Sequence, residues 1–589
     1  MQIQARKVRL QQHWYQKLLN MWPFVIFAIA TILLLEWQIR YHATLLFSDT
    51  LLHFQRIYDI KMQFATHNWS YFQTNYGFYH SGRIFNALYG PAFAYLNGFI
   101  LYCCRSWFRY QIIVVASCIF IASSSMYLLA RKAKVNPTIS VLLGLIYPQF
   151  GIVIGIFKFN WMAWGAAFAP FVVIQAINMV QDNTRPIHWI NLALTMAILA
   201  QIHVISTLLM ALSLIPFALY AIIKNKNHFK VILDIGKAIL VCIGLTANVW
   251  GGFLIAYNGN HIASPAKYNL WQHATHLFSE TNVHGKVPIL LSAIFILQII
   301  YIIFKHKDAL NNLLTGTGLF FLAISSHRMP YKALEMSHPT LGRIIQFPYR
   351  MDLVAYIVLL LACGITLTKL SKHHPRNYNL ALFSLVLISM QLFGLNSKLS
   401  YNRVKRYLNP NEIVLIESAY HIENRAKIRK ILATTTSGKL FNYVSHTEPD
   451  YLPYKTGEKL PTAYKSQYGS NIIDKQKYYN YHVHKQYLYL TWHGKKSRNI
   501  ILPIVMYKQS RLTHNNKPAK ILKFTHNYQP VIKQNKGYNQ IRLNFVQPKW
   551  FSILLWLTVL AWIGVLLFYC YWYLKYHTLF ELENINKII

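Results

Sequence analysis

The feature that most restricts the fold of this chain is the recurrence of long apolar runs. From Met21 to Ile223 and beyond, many runs of 16 to 20 residues contain no charged side chain. In the hydrocarbon of a bilayer only a helix satisfies its own backbone, and about 20 apolar residues are needed to cross. The sequence therefore predicts a polytopic α-helical membrane protein.

Twelve spans are predicted from these runs, at about 21–39, 111–130, 138–156, 162–180, 188–204, 206–223, 231–256, 287–304, 311–326, 350–369, 379–396 and 549–574. A further run, 84–104, is ambiguous. If it does not cross fully, the basic clusters between the spans all fall on the cytoplasmic side, as the positive-inside rule requires. We therefore expect 84–104 to be an outer-leaflet or re-entrant helix. We also expect a bacterial plasma-membrane protein with both termini in the cytoplasm.

Three regions follow from this topology. Residues 1–396 form the membrane domain, in which 40–110 is the first outer loop, and 549–589 form the last helix with a short cytoplasmic tail. Between them, 397–548 contains turn-bounded runs rich in β-branched and aromatic residues, which predict an extracytoplasmic β-sandwich. Residues 398–548 hold 26 Lys or Arg against 7 Asp or Glu, a net charge of +19.

The net charge of the whole chain, +41, does not by itself indicate nucleic acid. Much of it lies beside apolar segments, where it sets orientation and contacts anionic lipid, and no groove-reading motif is present. The histidines of the loop 257–286 match no established zinc spacing. We expect no nucleic-acid partner, no metal and no cofactor.

Asp49 is the most informative single residue, because the chain has only 18 Asp and Glu. It follows the first apolar run, and His53 and Arg56 come one and two turns later. On a helix these three side chains share a face, and the apolar residues of the segment fit an amphipathic helix lying on the membrane. A carboxylate in this place can act as a general base. The alternative is structural, with Asp49 capping the helix and Arg56 reaching the lipid headgroups.

The segment from Asn75 to Pro91 adds aromatic, amide and guanidinium groups. Tyr76, Asn86 and Tyr89 offer rings and hydrogen bonds that suit a sugar, and Arg83 suits a phosphate. Each of them could equally be an interfacial anchor.

The chain resembles the GT-C superfamily of integral-membrane glycosyltransferases and, more closely, the YfhO-like membrane proteins of Gram-positive bacteria. The resemblance rests on Asp49 in the first outer loop and on short motifs spread over most of the chain: Gly82-Arg83, Tyr89-Gly90-Pro91, Asn160-Trp161 through Pro170, Gln201-Ile202-His203, Ile345 through Arg350, and Asp450 through Pro453.

This resemblance implies transfer of a sugar, of the hexosyltransferase type, from a polyprenyl-phosphate donor to an acceptor outside the membrane. The acceptor would be a cell-envelope glycan, an anionic teichoic-type polymer or a glycolipid. It implies Asp49 as the catalytic group, with His53 assisting. The candidates for binding the donor phosphate are Arg83, Lys158, Arg343 and Arg350. The candidates for the sugar or acceptor are Tyr76, Asn86, Tyr89, Trp161 and His203, although His203 also suits a turn between two spans.

Two other classes of function stay open. A transporter or flippase of lipid-linked sugars would carry inverted repeats and charges near mid-membrane, and neither is evident in the sequence. A non-catalytic envelope scaffold would keep the fold without the chemistry. The surroundings of Asp49 in the folded chain distinguish these two hypotheses from the hypothesis of an enzyme.

Overall fold

The computed structural model describes residues 21–263, 268–305, 308–373, 375–410, 412, 419–447, 451–454 and 467–586. Residues 1–20 of the predicted membrane domain, and Asp450 of one motif used in the sequence analysis, lie outside these residues. Helices make up most of the described chain, and most of the strands come after residue 480.

The α-helices of the described residues are α1 (Trp22–Arg40), α2 (Ser48–Thr66), α3 (Pro91–Cys104), α4 (Trp107–Lys132), α5 (Pro137–Ile146), α6 (Gly151–Ile154), α7 (Met162–Gln181), α8 (Trp189–Ile202), α9 (Val204–Lys224), α10 (His228–Leu245), α11 (Ala247–Tyr257), α12 (Ile289–Phe304), α13 (Ala309–Ser325), α14 (Tyr331–Ser337), α15 (Leu341–Ile344), α16 (Asp352–His373), α17 (Pro375–Leu408), α18 (Arg425–Thr434), α19 (Leu440–Tyr443) and α20 (Lys549–Asn586).

The predicted spans coincide with these helices. Among the described residues, 7 helices are long and apolar enough to cross a membrane, or up to 9 if each of two bent pairs is one span. The bent pairs are Pro137–Gln149 with Gly151–Lys158 and His228–Leu245 with Ala247–Tyr257. The three remaining predicted spans correspond to the shorter apolar helices α8, α12 and α13. The predicted fold class, a polytopic helical membrane protein with a β-rich C-terminal region, is confirmed.

The ambiguous run 84–104 is helical only in α3. Its 14 residues rise about 21 Å, less than the roughly 30 Å of hydrocarbon. α3 packs along α2, and Gly98 permits the close approach, because a Cβ there would lie 2.3 Å from Cγ2 of Ile60. That α3 does not cross fully stays a prediction.

Helix α17 is longer than the predicted span, which ended at 396. It continues to Leu408 because residues 397–408 contain neither Gly nor Pro and keep a buried helical stripe. This stripe consists of Ser400, Arg403, Val404 and Tyr407, at the three- and four-residue spacing of one helix face. The helix thereby brings a basic residue, Arg403, into the body of the protein.

The strands of the described residues are β1 (His276–Ser279), β2 (Lys286–Pro288), β3 (Ala419–Ile422), β4 (Val444–His446), β5 (Asn480–His484), β6 (Tyr487–Gly494), β7 (Arg498–Ile501), β8 (Ser510–His514), β9 (Lys517–Pro518), β10 (Ile521–Phe524), β11 (Pro530–Gln534) and β12 (Gly537–Phe545).

The last eight strands form two antiparallel sheets. One has five strands in the order β5-β6-β12-β8-β9, and the other has three in the order β10-β11-β7. The side chains between the sheets make one core, in which Leu490, Leu543 and Ile532 are at most 1% exposed. This arrangement is a β-sandwich. The turn-bounded runs rich in β-branched and aromatic residues predicted one for 397–548, and its strands occupy 480–545 of that range.

The sandwich rests on the loop that follows α2. Asn68 Nδ2 donates to the Val483 carbonyl oxygen (3.2 Å), and the Val505 backbone N–H donates to the Ser81 carbonyl oxygen (2.8 Å). The apolar pattern of α2 predicted a helix lying on the membrane surface. This prediction is wrong, because the helix is enclosed by the protein. His53, Arg56 and Asp59 are each at most 2% exposed.

Candidate active site around the start of helix α2

Asp49 lies in the first turn of α2, where the helix dipole favours a negative charge. The side chain is partly exposed and lies close enough to Lys158 and Tyr349 to interact with both electrostatically. The neighbouring Thr50 Oγ1 donates a hydrogen bond to the Lys158 carbonyl oxygen (3.3 Å). The carboxylate predicted as the base thus adjoins one of the cations predicted to bind phosphate.

A second cation, Arg403, belongs to the same place. The Lys158 Nζ lies 5.7 Å from the centre of the Phe47 ring, and the Arg403 guanidinium carbon lies 5.5 Å from the same ring. Both cations also act on His284. Two positive groups therefore stand beside the single carboxylate of Asp49, and this arrangement favours an anionic ligand.

His284 and Tyr349 complete this side of the site. Their rings stack with centroids 5.2 Å apart. Burial, together with the nearby Lys158 and Arg403, lowers the pKa of His284 to about 3, so its ring is neutral at pH 7. His284 Nδ1 is buried and has no hydrogen-bond partner among the described residues. A Cβ on Gly155 would meet the ring at 2.4 Å, so this glycine makes room for it.

His53, one turn after Asp49, opens a second, aromatic side of the site. Its ring centroid lies 4.0 Å from that of Trp161 and 5.7 Å from that of Tyr89, and Tyr89 lies 5.9 Å from His203. Four of the residues predicted for the site, distant in sequence, therefore form one cluster. Burial, with the charge of Arg56, lowers the pKa of His53 well below its usual value, so His53 is neutral.

Two polar atoms in this aromatic cluster lack partners. His53 Nδ1 and Trp161 Nε1 are buried without a hydrogen bond to any described residue. A buried polar group left unsatisfied costs about 1–3 kcal/mol, and such groups in natural proteins usually have a partner. The pair is therefore suited to meet a polar ligand such as a sugar.

Arg56 has a structural role and is not one of the ligand-binding candidates. Its Nε donates to Asn86 Oδ1 (2.9 Å), and its Nη2 donates to the Gly90 carbonyl oxygen (3.2 Å) and to the Tyr89 carbonyl oxygen. Its guanidinium carbon is 4.8 Å from the centre of a Trp161 ring. The alternative in which Arg56 reaches lipid headgroups is wrong, because the side chain is 1% exposed inside the protein. Arg56 fixes the turn that carries Tyr89.

The predicted phosphate ligand Arg350 lies on the aromatic side. It interacts electrostatically with His203, Tyr89 and Tyr451, and its guanidinium carbon is 4.8 Å from the centre of the Phe347 ring. His203 occupies the break between α8 and α9. Its Nδ1 accepts from the Ser206 backbone N–H (3.2 Å), so the predicted turn at His203 is confirmed.

Three predicted site residues lie elsewhere. Arg83 is fully buried and lies over Phe78 (4.6 Å) and Phe85 (5.4 Å), where the loop meets the C-terminal region. Tyr76 Oη accepts from Asn68 Nδ2 (2.9 Å) and packs against the sandwich core. Arg343 is exposed in the short helix α15. Their roles as ligands stay predictions, and none of the three joins the cluster around Asp49.

Sequence reasoning missed Arg403, His284 and Tyr349. Arg403 could have been found from the helical period that continues past 396. His284 was considered only with the other histidines of its loop as a metal ligand. Within the part of the chain that the structure describes, no three His, Cys, Asp or Glu side chains are grouped to hold a metal ion. Only the three-dimensional packing gives these three residues a common site.

Comparison with known proteins leaves the family open. No family model and no curated protein matches the chain. Two crystal structures of the Archaeoglobus fulgidus oligosaccharyltransferase are similar to it, one in the apo form and one tethered by a disulfide bond to an acceptor peptide containing the NVT sequon. Their identities are 12% and 13%, and the TM-scores are 0.37 and 0.36. The similarity covers 74% of this chain but only 62% and 61% of theirs. Similarity of this degree does not establish a family, and the GT-C and YfhO-like resemblances stay predictions.

Proposed function

We propose that the chain is a membrane glycosyltransferase that moves a sugar from a polyprenyl-phosphate donor to a glycan, teichoic-type polymer or lipid acceptor at the outer face. The observation that carries this proposal is the position of Asp49. A scarce, partly exposed carboxylate in the first turn of α2 lies beside two cations, Lys158 and Arg403, and next to an aromatic cluster. A base, a phosphate site and a sugar site are what this reaction needs.

The chemistry divides among these groups. Asp49 accepts the proton of an acceptor hydroxyl while that oxygen bonds to the anomeric carbon of the sugar. The bond between this carbon and the phosphate oxygen breaks, and its electron pair leaves with the phosphate. Lys158 and Arg403 stabilise the charge that develops on the leaving group. Because the neutral rings of His53 and His284 carry no charge, their part is to position ligands through hydrogen bonds.

The aromatic cluster suits the sugar. The rings of Trp161 and Tyr89 provide apolar faces. His53 Nδ1 and Trp161 Nε1, which have no partner among the described residues, can hydrogen-bond hydroxyl groups. Arg350 stands on this side and offers a further cation to the donor. The site lies where spans end, so a donor anchored in the bilayer would reach it from the membrane.

Asp49→Asn tests the proposal, because it keeps the size of the side chain while removing the base. A strain that lacks the chain is complemented with wild type or with variants, and its envelope glycans are compared. We expect Asp49→Asn to lower transfer by roughly 10²–10⁴-fold at unchanged membrane expression. The control is Glu280→Gln, which removes an exposed carboxylate outside the cluster and should transfer normally. Normal glycans with Asp49→Asn would remove Asp49 from the mechanism and favour the scaffold alternative.

Lys158→Gln and Arg403→Gln separate donor binding from the chemical step. Each removes one charge-assisted contact, worth about 1.5–3 kcal/mol, so we expect a loss of transfer that excess lipid-linked sugar partly restores. The same excess should not restore Asp49→Asn. Under the flippase alternative, Asp49→Asn and the cation variants would instead all leave donor accumulated at the cytoplasmic leaflet.

A further inference from the structure

The outer face of the five-stranded sheet has an unusual composition. Apart from the two-residue edge strand β9, this face, turned away from the sandwich core, consists of alternate residues of β5, β6, β12 and β8, and all of them are partly or fully exposed. They are His, Tyr, Thr, Asn, Gln and Arg only, with no carboxylate and no aliphatic side chain. We call it the outer sheet face. Solvated faces usually mix both signs of charge, so this composition points to a ligand.

The register of the strands places aromatic and cationic groups side by side. Tyr489 on β6 pairs with His482 on one side and with Arg542 on the other. The ring centroids of Tyr487 and Tyr489 are 6.4 Å apart, and the Arg542 guanidinium carbon lies 5.1 Å from the centre of the Tyr487 ring. Neighbouring side chains on adjacent β strands lie about 5 Å apart. The two tyrosine rings and the arginine therefore form one continuous row on this face.

The charge of the whole sandwich has one sign. Residues 480–545 contain 12 Lys or Arg and no Asp or Glu. A field of one sign over this surface attracts a polyanion and raises its rate of encounter. Arg511 on β8, which pairs with Asn544 of β12, extends this row across the outer sheet face.

We propose that the outer sheet face binds an anionic polysaccharide. Tyrosine rings stack on the apolar faces of sugar rings, arginines form charge-assisted hydrogen bonds with carboxylate or phosphodiester groups, and Asn and Gln side chains pair with hydroxyl groups. A bilayer fits less well, because the face has no aliphatic side chain to insert. This proposal goes beyond the glycosyltransferase reaction and needs no catalysis by Asp49.

The test uses the full chain in nanodiscs of neutral lipid. Binding is measured for polygalacturonate, an acidic polysaccharide, and for dextran, polyphosphate and vesicles of anionic phosphatidylglycerol. We expect polygalacturonate to bind tightest. Tyr489→Ala removes one stacking ring, and Arg542→Gln removes one charged contact. Each variant should bind polygalacturonate roughly tenfold more weakly than wild type. The matched control is Lys523→Gln, which removes an exposed cation from β10 of the other sheet and should bind like wild type.

The controls keep the outcome decisive. Tyr489→Phe retains the ring and should bind nearly as wild type, and heat stability is measured for every variant, so that misfolding of Tyr489→Ala would be recognised. Equal binding of polyphosphate and polygalacturonate, unaffected by Tyr489→Ala, would overturn the proposal in favour of a plain polycation. Vesicle binding that depends on Tyr489 and Arg542 would overturn it in favour of membrane docking. Sugar transfer is not measured, so failure here leaves the proposed function standing.

Discussion

Arg56 offers a direct measure of how the turn that carries Tyr89 is held. Three acceptors, Asn86 Oδ1 and the carbonyl oxygens of Tyr89 and Gly90, receive hydrogen bonds from a guanidinium that is 1% exposed. Arg56→Met keeps the length of the side chain but leaves these acceptors unsatisfied, at about 1–3 kcal/mol each. The predicted effect is therefore a loss of stability.

An opposing effect reduces this loss. Burial lowers the pKa of Arg56 to about 10, so the group stays charged at neutral pH at some desolvation cost, and methionine removes that cost. Balancing the two effects, we expect Arg56→Met to lower the free energy of unfolding by about 2–4 kcal/mol. Arg56→Lys should lose about half of this, because a compact ammonium group cannot reach all three acceptors.

The assay is a heat challenge in mild detergent, scored by the fraction of monodisperse protein that remains. Arg40→Met is the matched control, since Arg40 is exposed and surface substitutions usually change stability by less than about 0.5 kcal/mol. We expect the midpoint of Arg56→Met to fall several degrees below that of Arg40→Met. If the two variants melt together, the hydrogen bonds of Arg56 do not hold the turn, and its assignment as a structural residue fails.

Further predictions concern Asp59 and the topology. Asp59 Oδ1 accepts hydrogen bonds from the backbone N–H groups of Tyr76 (2.7 Å) and Gly77 (3.2 Å), and Oδ2 accepts one from Gln63 Nε2 (2.9 Å). Asparagine keeps an oxygen for the first two but sets an N–H against Gln63 Nε2, so Asp59→Asn should lower the melting midpoint at pH 7. Burial raises the pKa of Asp59 above its usual value of 3.8, so the folded state holds this proton more tightly. Its titration should therefore reduce stability as pH rises from about 4 through the folded pKa, and a pH series in which Asp59→Asn keeps this dependence would contradict the assignment. For topology, single-cysteine probes at Lys134 and Asn480, with the natural cysteines replaced, should react with an impermeant reagent only at 480; labelling at 134 would mean that α3 crosses the membrane.

The sequence was sufficient for the long apolar helices and for the β-rich region near the C-terminus. Apolar runs of bilayer length leave the backbone no alternative to helices, so all twelve predicted spans coincide with helices. The turn-bounded runs rich in β-branched and aromatic residues likewise predicted the sandwich. The ends of elements were less well predicted. The helix that contains the predicted span 379–396 continues to Leu408. Apolarity ends at 396, whereas the buried helical stripe that includes Val404 continues on a polar background.

The residues of the candidate site were also predicted only in part. The sequence proposed Asp49 because carboxylates are rare, and it proposed His53, Tyr89, Trp161 and His203 from motif and residue type; the structure brings the last four into one cluster. It also proposed Arg83 and Arg343, which the fold places elsewhere. The residue type shows that a guanidinium group can bind phosphate. It does not show which aromatic ring or carbonyl oxygen that group contacts in the folded protein.

What only the tertiary structure decided is which distant residues share a site. Arg403 and His284 lie 354 and 235 residues after Asp49 in the chain. They nevertheless meet Lys158 because Arg403 of α17 packs on the ring of Phe47, just before α2, and His284 packs against Gly155, three residues before Lys158. No local rule predicts such a contact. Periodicity specifies which face of a helix is buried, whereas the close packing of helices fixes which faces meet and in what register. The sequence alone therefore determined the membrane architecture and the scarce carboxylate, and the packing determined the cations that surround it.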